Sequence, residues 1–252
     1  MLELKPREEL IRLAVKHNGD WEQIRQAIRS EKFDTDGIKI PTDCKAVTIL
    51  DPEYPRSLCN DCPKPPFVLF YKGDLSLISD KSKCVTIVGA RDASDKHLEQ
   101  VRDLTKSVSE LGYVIVSGTS KGVQINAINS ATRPVCVLGN GFHKPYPAES
   151  KATIDLISKY GLVISEYPPD VPAGVRNFPA RSRILASLSN HVICGRVTDR
   201  SGTLVTIAYA SAENVDVGVM TLNYGDGAIN SRLISDGMFP LGSFEDVKAF
   251  LK

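Results

Sequence analysis

Three apolar runs set the frame of this chain: Cys84–Gly89, Tyr113–Gly118 and Val135–Gly139. Each is rich in β-branched residues, none alternates with polar positions, and each ends in glycine. Unbroken runs of that length suit parallel strands with helices over both faces. Between and after them the pattern switches to helical spacing. Helices are expected near Ser94–Leu111, Gly122–Ala131, Ala148–Tyr160, Arg181–Leu188, Gly202–Ala212 and Asn230–Ser235. Further strands are expected at Leu162–Ser165, His191–Cys194 and Val215–Met220. A last helix opens after Ser243, an N-cap residue with Asp246 three positions on. Regular β–α alternation predicts an α/β fold, doubly wound around a mainly parallel sheet.

The first part of the chain reads differently. Leu10, Ile11, Ala14 and Val15 form one helical stripe, and Trp21, Ile24, Ala27 and Ile28 a second. Asn18-Gly19-Asp20 separates them, with Asp20 as N-cap. The pair is too small to fold alone, so it is expected to pack on the rest of the chain, with Trp21 in the core. The expected organisation is a small helical N-terminal region over residues 1–44 and an α/β domain over 45–252. Residues 31–83 are loop-rich and punctuated by proline. Only Ala46–Leu50, an expected edge strand, and Phe67–Tyr71 look like strands there.

Composition narrows the partners. With 252 residues and a formal charge of +1, the chain has no bulk field for nucleic acid, and any basic surface must be local. No apolar run approaches the roughly 20 residues of a membrane span, and Met1–Leu10 lacks a signal-peptide core. The expectation is a cytoplasmic protein without membrane contact. Without a secretory signal the six cysteines read as free thiols. Cys59-x-x-Cys62 has metal-ligand spacing but no matching second pair, so no metal is expected.

In open α/β sheets the ligand crevice lies beyond the carboxyl ends of the strands. Here those ends carry Gly89, Arg91, Gly118, Lys121, Gly139 and Gly141. Ser117–Gly122 leads into a helix, so its amides, hydroxyls and lysine could cradle a phosphate. Arg200–Thr203 repeats the theme. Neither is a dinucleotide fingerprint or a P-loop. Arginine is concentrated between Val171 and Arg200: Arg176, Arg181, Arg183, Arg196 and Arg200, with Asp199 the one acid. Tyr146, Tyr167 and Phe178 lie within or near that segment. Basic groups with aromatic platforms suit single-stranded nucleic acid; a solvated helix face is the alternative. The four histidines are scattered, and no nucleophile elbow or paired-carboxylate motif occurs. Glu166 follows a strand, either in the crevice or bonded to its own loop. Nothing here demands an enzyme.

Taken in order, these segments resemble the DNA-processing protein A family (DprA, also called Smf). The family's G-S-R after the first core strand is Gly89-Ala90-Arg91. Its S-G-x-A-x-G-I-D is Ser117 through Gln124. Its V-L-G-x-G-x-x-x-x-Y-P-x-E is intact from Val137 to Glu149. Its S-E-F/Y-P-P is Ser165 through Pro169, its F-P-x-R-N-R is Phe178 through Arg183, and its R-S-G-S/T-L-x-T is Arg200 through Thr206. Upstream, D-P-x-Y-P appears as Asp51 through Pro55.

The resemblance implies a Rossmann-like core that binds single-stranded DNA without being an enzyme and without a cofactor. It implies a homodimer that protects incoming DNA in natural transformation and helps load a RecA-type recombinase. Carried over by position, the DNA pocket would be bordered by Gly89, Arg91, Gly118, Lys121, Gly139, Gly141, Phe142, Lys144, Phe178, Arg181, Arg183 and Arg200. Departures mark a divergent member: Gln124 for the usual aspartate, Ile128 near a usual histidine, Ser182 for asparagine, Ala180 for a basic residue and Arg196 for a strand-end glutamate. A C-terminal winged-helix domain is not expected. The alternatives are a sensor of a nucleotide or nucleotide derivative, and a nucleoside-phosphate hydrolase. For the latter, Leu204-Val205-Thr206 after Gly202-Thr203 lacks the glutamate that related phosphoribohydrolases carry.

Overall fold

The computed structural model describes residues 6–199, 201–221 and 227–252. They build a nine-stranded sheet. Its strands in chain order are β1 (Lys45–Thr48), β2 (Val68–Gly73), β3 (Cys84–Val88), β4 (Val114–Ser117), β5 (Pro134–Leu138), β6 (Leu162–Ser165), β7 (His191–Cys194), β8 (Asp216–Met220) and β9 (Phe239–Leu241). Across the sheet they run β1-β2-β6-β5-β4-β3-β7-β8-β9. The β1–β2 and β2–β6 pairs are antiparallel, and every pair from β6 across to β9 is parallel. The chain therefore winds outward from β3 through β4, β5 and β6. It then jumps back across β3 to β7 and winds the other way.

The helices are α1 (Pro6–Lys16), α2 (Trp21–Arg29), α3 (Arg56–Asn60), α4 (Asp95–Glu110), α5 (Val123–Ser130), α6 (Lys151–Tyr160), α7 (Asn177–Ser187), α8 (Gly202–Ala212), α9 (Ala228–Ser235) and α10 (Phe244–Phe250). Alternate strand residues point to opposite faces, and both sets are apolar. Val88, Val116, Val137 and Ile164 pack with residues of α3, α7, α8 and α9. Val85, Ile87 and Ile115 pack with α4, α5 and α10 on the other side. There too, Cys136, Leu138 and Val163 pack with α1, α2 and α6. Each such buried side chain contributes about 1.5–3 kcal/mol. The unbroken apolar runs are thus explained by two covered faces.

The N-terminal helices pack on the sheet as expected, and Asp20 accepts from the Gln23 amide at 2.9 Å to cap α2. Trp21, expected in the core, is only part-buried: it stacks on Phe67 with ring centroids 5.3 Å apart, and Arg25 and Lys64 cover its ring. Ser243 and Asp246 form a reciprocal capping box on α10. Two differences matter. Helix α7 starts at Asn177, four residues before its expected start, because Pro179 falls in the first turn, where a missing N–H costs nothing. That puts Phe178 on the helix. Strand β9, only three residues with Pro240 at its centre, carries too weak a pattern to be expected.

Candidate functional site

The switch point lies between β3 and β7, where strand order reverses and loops on either side diverge. A pocket of about 360 Å³ opens beyond their carboxyl ends. Gly89, Arg91 and Asp92 reach it from the loop after β3, and Ser120 and Gln124 from around the start of α5. Phe178 and Arg181 come from α7, and Thr198, Ser201 and Thr203 from the approach to α8.

Arg181 is the electrostatic centre. Its side chain is buried at 5 % exposure, and its Nη2 donates to the neutral Gln124 Oε1 at 3.2 Å. Its Nε has no partner among the described residues, and no carboxylate there pairs with it. Burial pulls the guanidinium below the ordinary arginine range, to about 10, and the nearby charge of Arg91 adds to the fall. It is still a cation at neutral pH. A buried cation without a counterion is costly, and this one borders an open pocket. Both Arg91 and Arg181 sit over the Phe178 ring, their guanidinium carbons 5.8 Å and 5.6 Å from its centroid. Asp92, the acid at the rim, pairs with Arg196 at 2.9 Å, and the hydrogen bond from Arg196 holds its carboxyl below the usual range.

The glycines serve the protein's own packing. A Cβ on Gly118 would lie 2.5 Å from Arg181 Nη1 and 2.7 Å from Gln124 Oε1, so this glycine is what lets the guanidinium lie against the end of β4. A Cβ on Gly139 would press on the Phe178 ring at 3.2 Å. Gly89 makes room for Val123, and Gly141 for the carbonyls of Pro168 and Pro169.

The Ser117–Gly122 loop is also largely committed inward. Ser117 Oγ donates to the Ile87 carbonyl at 2.7 Å, Thr119 Oγ1 to the Tyr146 carbonyl at 3.0 Å, and the Val123 amide to the Ala90 carbonyl at 3.1 Å. Only Ser120 of its hydroxyls faces the pocket.

Of the residues expected from sequence, Gly89, Arg91, Phe178 and Arg181 converge on the pocket, with Gly118 and Gly139 packed directly behind. Lys121 and Lys144 are exposed but outside its lining. Phe142 does not reach it: it is buried at 7 % exposure in the core beside α1 and α6, under the Lys72 ammonium. Arg183 does not reach it either. Its Nη2 pairs with Glu166 Oε1 at 2.5 Å, its Nε donates to the Lys64 carbonyl, and both members of the ion pair are buried. Burial pushes the Glu166 carboxyl up against the pull of Arg183. Glu166 is thereby accounted for as a structural ion, away from the switch-point pocket. Arg200 lies outside the described residues. Sequence reading missed Gln124 as a ligand of Arg181, because its mismatch with the family pattern drew attention to identity and not to position. Cys59 is exposed and Cys62 buried, and no group of three metal-type ligands forms among the described residues.

A larger groove of about 1110 Å³ lies on the other side of the start of α7, between the α1–α2 turn and the loop after β6. Several of its charges are paired: Lys64 with Glu22, Arg183 with Glu166, and His143 with Asp43 at 2.7 Å and Asp170 at 2.9 Å; Lys39 and Arg176 also line it, exposed to solvent and outside these pairs. The buried cation without a carboxylate partner among the described residues, Arg181, faces the smaller pocket.

Fold and site together define a class: a Rossmann-like α/β protein with an anion-receptive, aromatic-lined pocket at the switch point of its sheet. The chain belongs to the DNA recombination-mediator protein A family, whose model matches residues 45–252. It is 35 % identical over 208 residues to the DNA processing protein DprA of Streptococcus pneumoniae, an overlap covering 80 % of this chain and 72 % of that one. It is 34 % identical over 191 residues to DprA of Bacillus subtilis, covering 73 % of this chain and 63 % of the relative. The protein Smf of Synechocystis is 36 % identical over 173 residues, 66 % of this chain and 43 % of the relative. The chain thus spans roughly two fifths to two thirds of the last two. Among solved structures, DprA of S. pneumoniae superposes with a TM-score of 0.76 at 32 % identity, covering 90 % of this chain and 80 % of that one. DprA of Helicobacter pylori, solved to describe its single-stranded DNA binding mode, superposes with a TM-score of 0.75 at 24 % identity, covering 82 % and 95 %. Among the described residues no helix is long and apolar enough to cross a membrane.

Proposed function

We propose that this chain binds single-stranded DNA at the β3/β7 switch point and acts by binding, not by catalysis. The observation that carries the reading is Arg181, a buried guanidinium with a neutral partner on one side and an open pocket on the other. A phosphodiester oxygen supplies the missing counter-charge, and arginine's planar fork suits it. Arg91 adds a second cation at the rim, and the Arg196–Asp92 pair keeps the rim acid from opposing the anion. Among the described lining residues the one carboxylate, Asp92, is tied to Arg196, and the serine and threonine hydroxyls have no histidine or second carboxylate in the lining to activate them, which supports a binding role. Family membership supports the same ligand. It extends the proposal to a cytoplasmic homodimer that holds incoming strands in DNA processing and natural transformation and passes them to a RecA-type recombinase.

The test is fluorescence anisotropy with labelled oligo-dT and the matching duplex at two salt concentrations. Binding should favour the single strand and weaken with salt, with a log–log slope of about −0.7 per phosphate neutralised. Arg91→Ala should make that slope shallower by about one such increment. No binding of oligo-dT at low salt refutes the reading; displacement of a bound strand by thymidine monophosphate alone would turn it toward a nucleotide sensor.

A further inference from the structure

We propose that Tyr146 is a stacking platform for one unpaired nucleobase, adjoining the phosphate-receptive pocket, and that it supplies the preference for single strands. The inference rests on the proposed single-stranded DNA binding and adds a second, uncharged subsite to it.

Phe178 is the aromatic residue that lines the pocket, yet its ring is already engaged. It is part-buried, carries the Arg91 and Arg181 guanidinium groups at 5.8 Å and 5.6 Å, and has the backbone of Gly139 beside it. Tyr146 extends this cluster outward. Its ring centroid lies 5.5 Å from that of Phe178, tilted by 49°, while 46 % of the residue remains exposed. An aromatic side chain half in water, packed on the ring that carries both guanidinium groups, offers an apolar face next to the pocket wall.

The platform is also held in place. The Tyr146 carbonyl accepts from Thr119 Oγ1 at 3.0 Å, and Thr119 is buried at 2 % exposure in the loop after β4. The ring's origin is thus tied to the same strand ends that carry Gly118 and Ser120. The two subsites are thereby connected through the loop after β4.

Charge alone does not distinguish a strand from a duplex, since both present phosphates. A base can lie flat on Tyr146 only if it has left the base-pair stack. The two effects therefore separate by residue: Arg91 and Arg181 govern salt dependence, and Tyr146 governs strand preference.

The experiment compares oligo-dT, the matching duplex and an abasic strand of equal length by anisotropy. A second readout is an oligonucleotide carrying 2-aminopurine, whose fluorescence is quenched on stacking. Wild-type protein should bind oligo-dT more tightly than the abasic strand and quench 2-aminopurine. Tyr146→Ala should weaken oligo-dT binding by roughly 5- to 150-fold, the range expected for one base–aromatic stack. It should leave abasic binding and the salt slope unchanged, which also shows the variant folded. Tyr146→Phe should retain binding and quenching, and Tyr146→Leu, similar in apolar bulk, should lose both. If wild type binds oligo-dT but Tyr146→Ala and Tyr146→Leu bind and quench as it does, the platform is refuted while the DNA reading stands. If wild type binds no strand, both fall.

Discussion

Arg181→Met tests whether the buried guanidinium exists for a ligand or for the fold. The substitution keeps an unbranched side chain of similar reach and removes the charge. Burial has pulled the Arg181 pKa from the ordinary arginine value down to about 10. At about 1.36 kcal/mol for each pKa unit, keeping it charged at neutral pH costs the folded state about 3 kcal/mol. Methionine relieves that. Against it stand the lost contact with Phe178, about 0.5–1 kcal/mol, and the Gln124 amide oxygen left without a donor, about 1–2 kcal/mol. The variant should therefore be as stable as wild type or up to about 1.5 kcal/mol more stable. That corresponds to a rise in Tm of no more than roughly 6 °C for a domain of this size. Single-stranded DNA affinity should fall at least about tenfold, since a hydrogen bond to a charged group contributes roughly 1.5–3 kcal/mol. Urea denaturation and oligo-dT anisotropy on the same preparations measure both. A variant destabilised by more than about 2 kcal/mol with unchanged DNA affinity would make Arg181 a structural residue and remove the central support for the pocket.

Two further predictions probe the other face of α7. Glu166→Gln leaves Arg183 buried without its carboxylate, and should cost about 3–5 kcal/mol of folding free energy; a loss under about 1 kcal/mol by denaturant titration would show the pair to be dispensable. His143 has its pKa raised by hydrogen bonds to Asp170 and Asp43. Its contribution to stability is therefore complete below the ordinary histidine pKa and is lost as pH rises through the raised value. Thermal melts of wild type between pH 6 and 8.5 should decline with pH, and His143→Gln should flatten part of that decline; identical profiles would remove His143 from the account.

Much of the sheet was legible because parallel strands covered on both faces must be apolar throughout. Runs such as Cys84–Val88 and Val135–Leu138 are short, β-branched and followed by glycine, which favours a buried strand over a buried helix segment. Strand β9 and the early start of α7 were not, because three residues around Pro240 and a proline at Pro179 suppress the local pattern. At the site, the motif Phe178–Arg183 identified the segment but not the direction of each side chain. Arg181 and Arg183 are two residues apart, about 200° around a helix. One enters the switch-point pocket and the other must point away, toward Glu166.

What the sequence by itself determined was the α/β order, the strand ends that gather glycine and arginine, and the family. These come from periodicity and from residue types at fixed spacing, which are local properties. Only the tertiary structure decided which cations remain uncompensated. Arg183 met a carboxylate from another strand end and became part of the core, while Arg181 met only the amide of Gln124. Charge compensation is a long-range matter of what lies opposite each group once the chain has folded, so an arginine count cannot separate the unpaired cation from the ion-paired one.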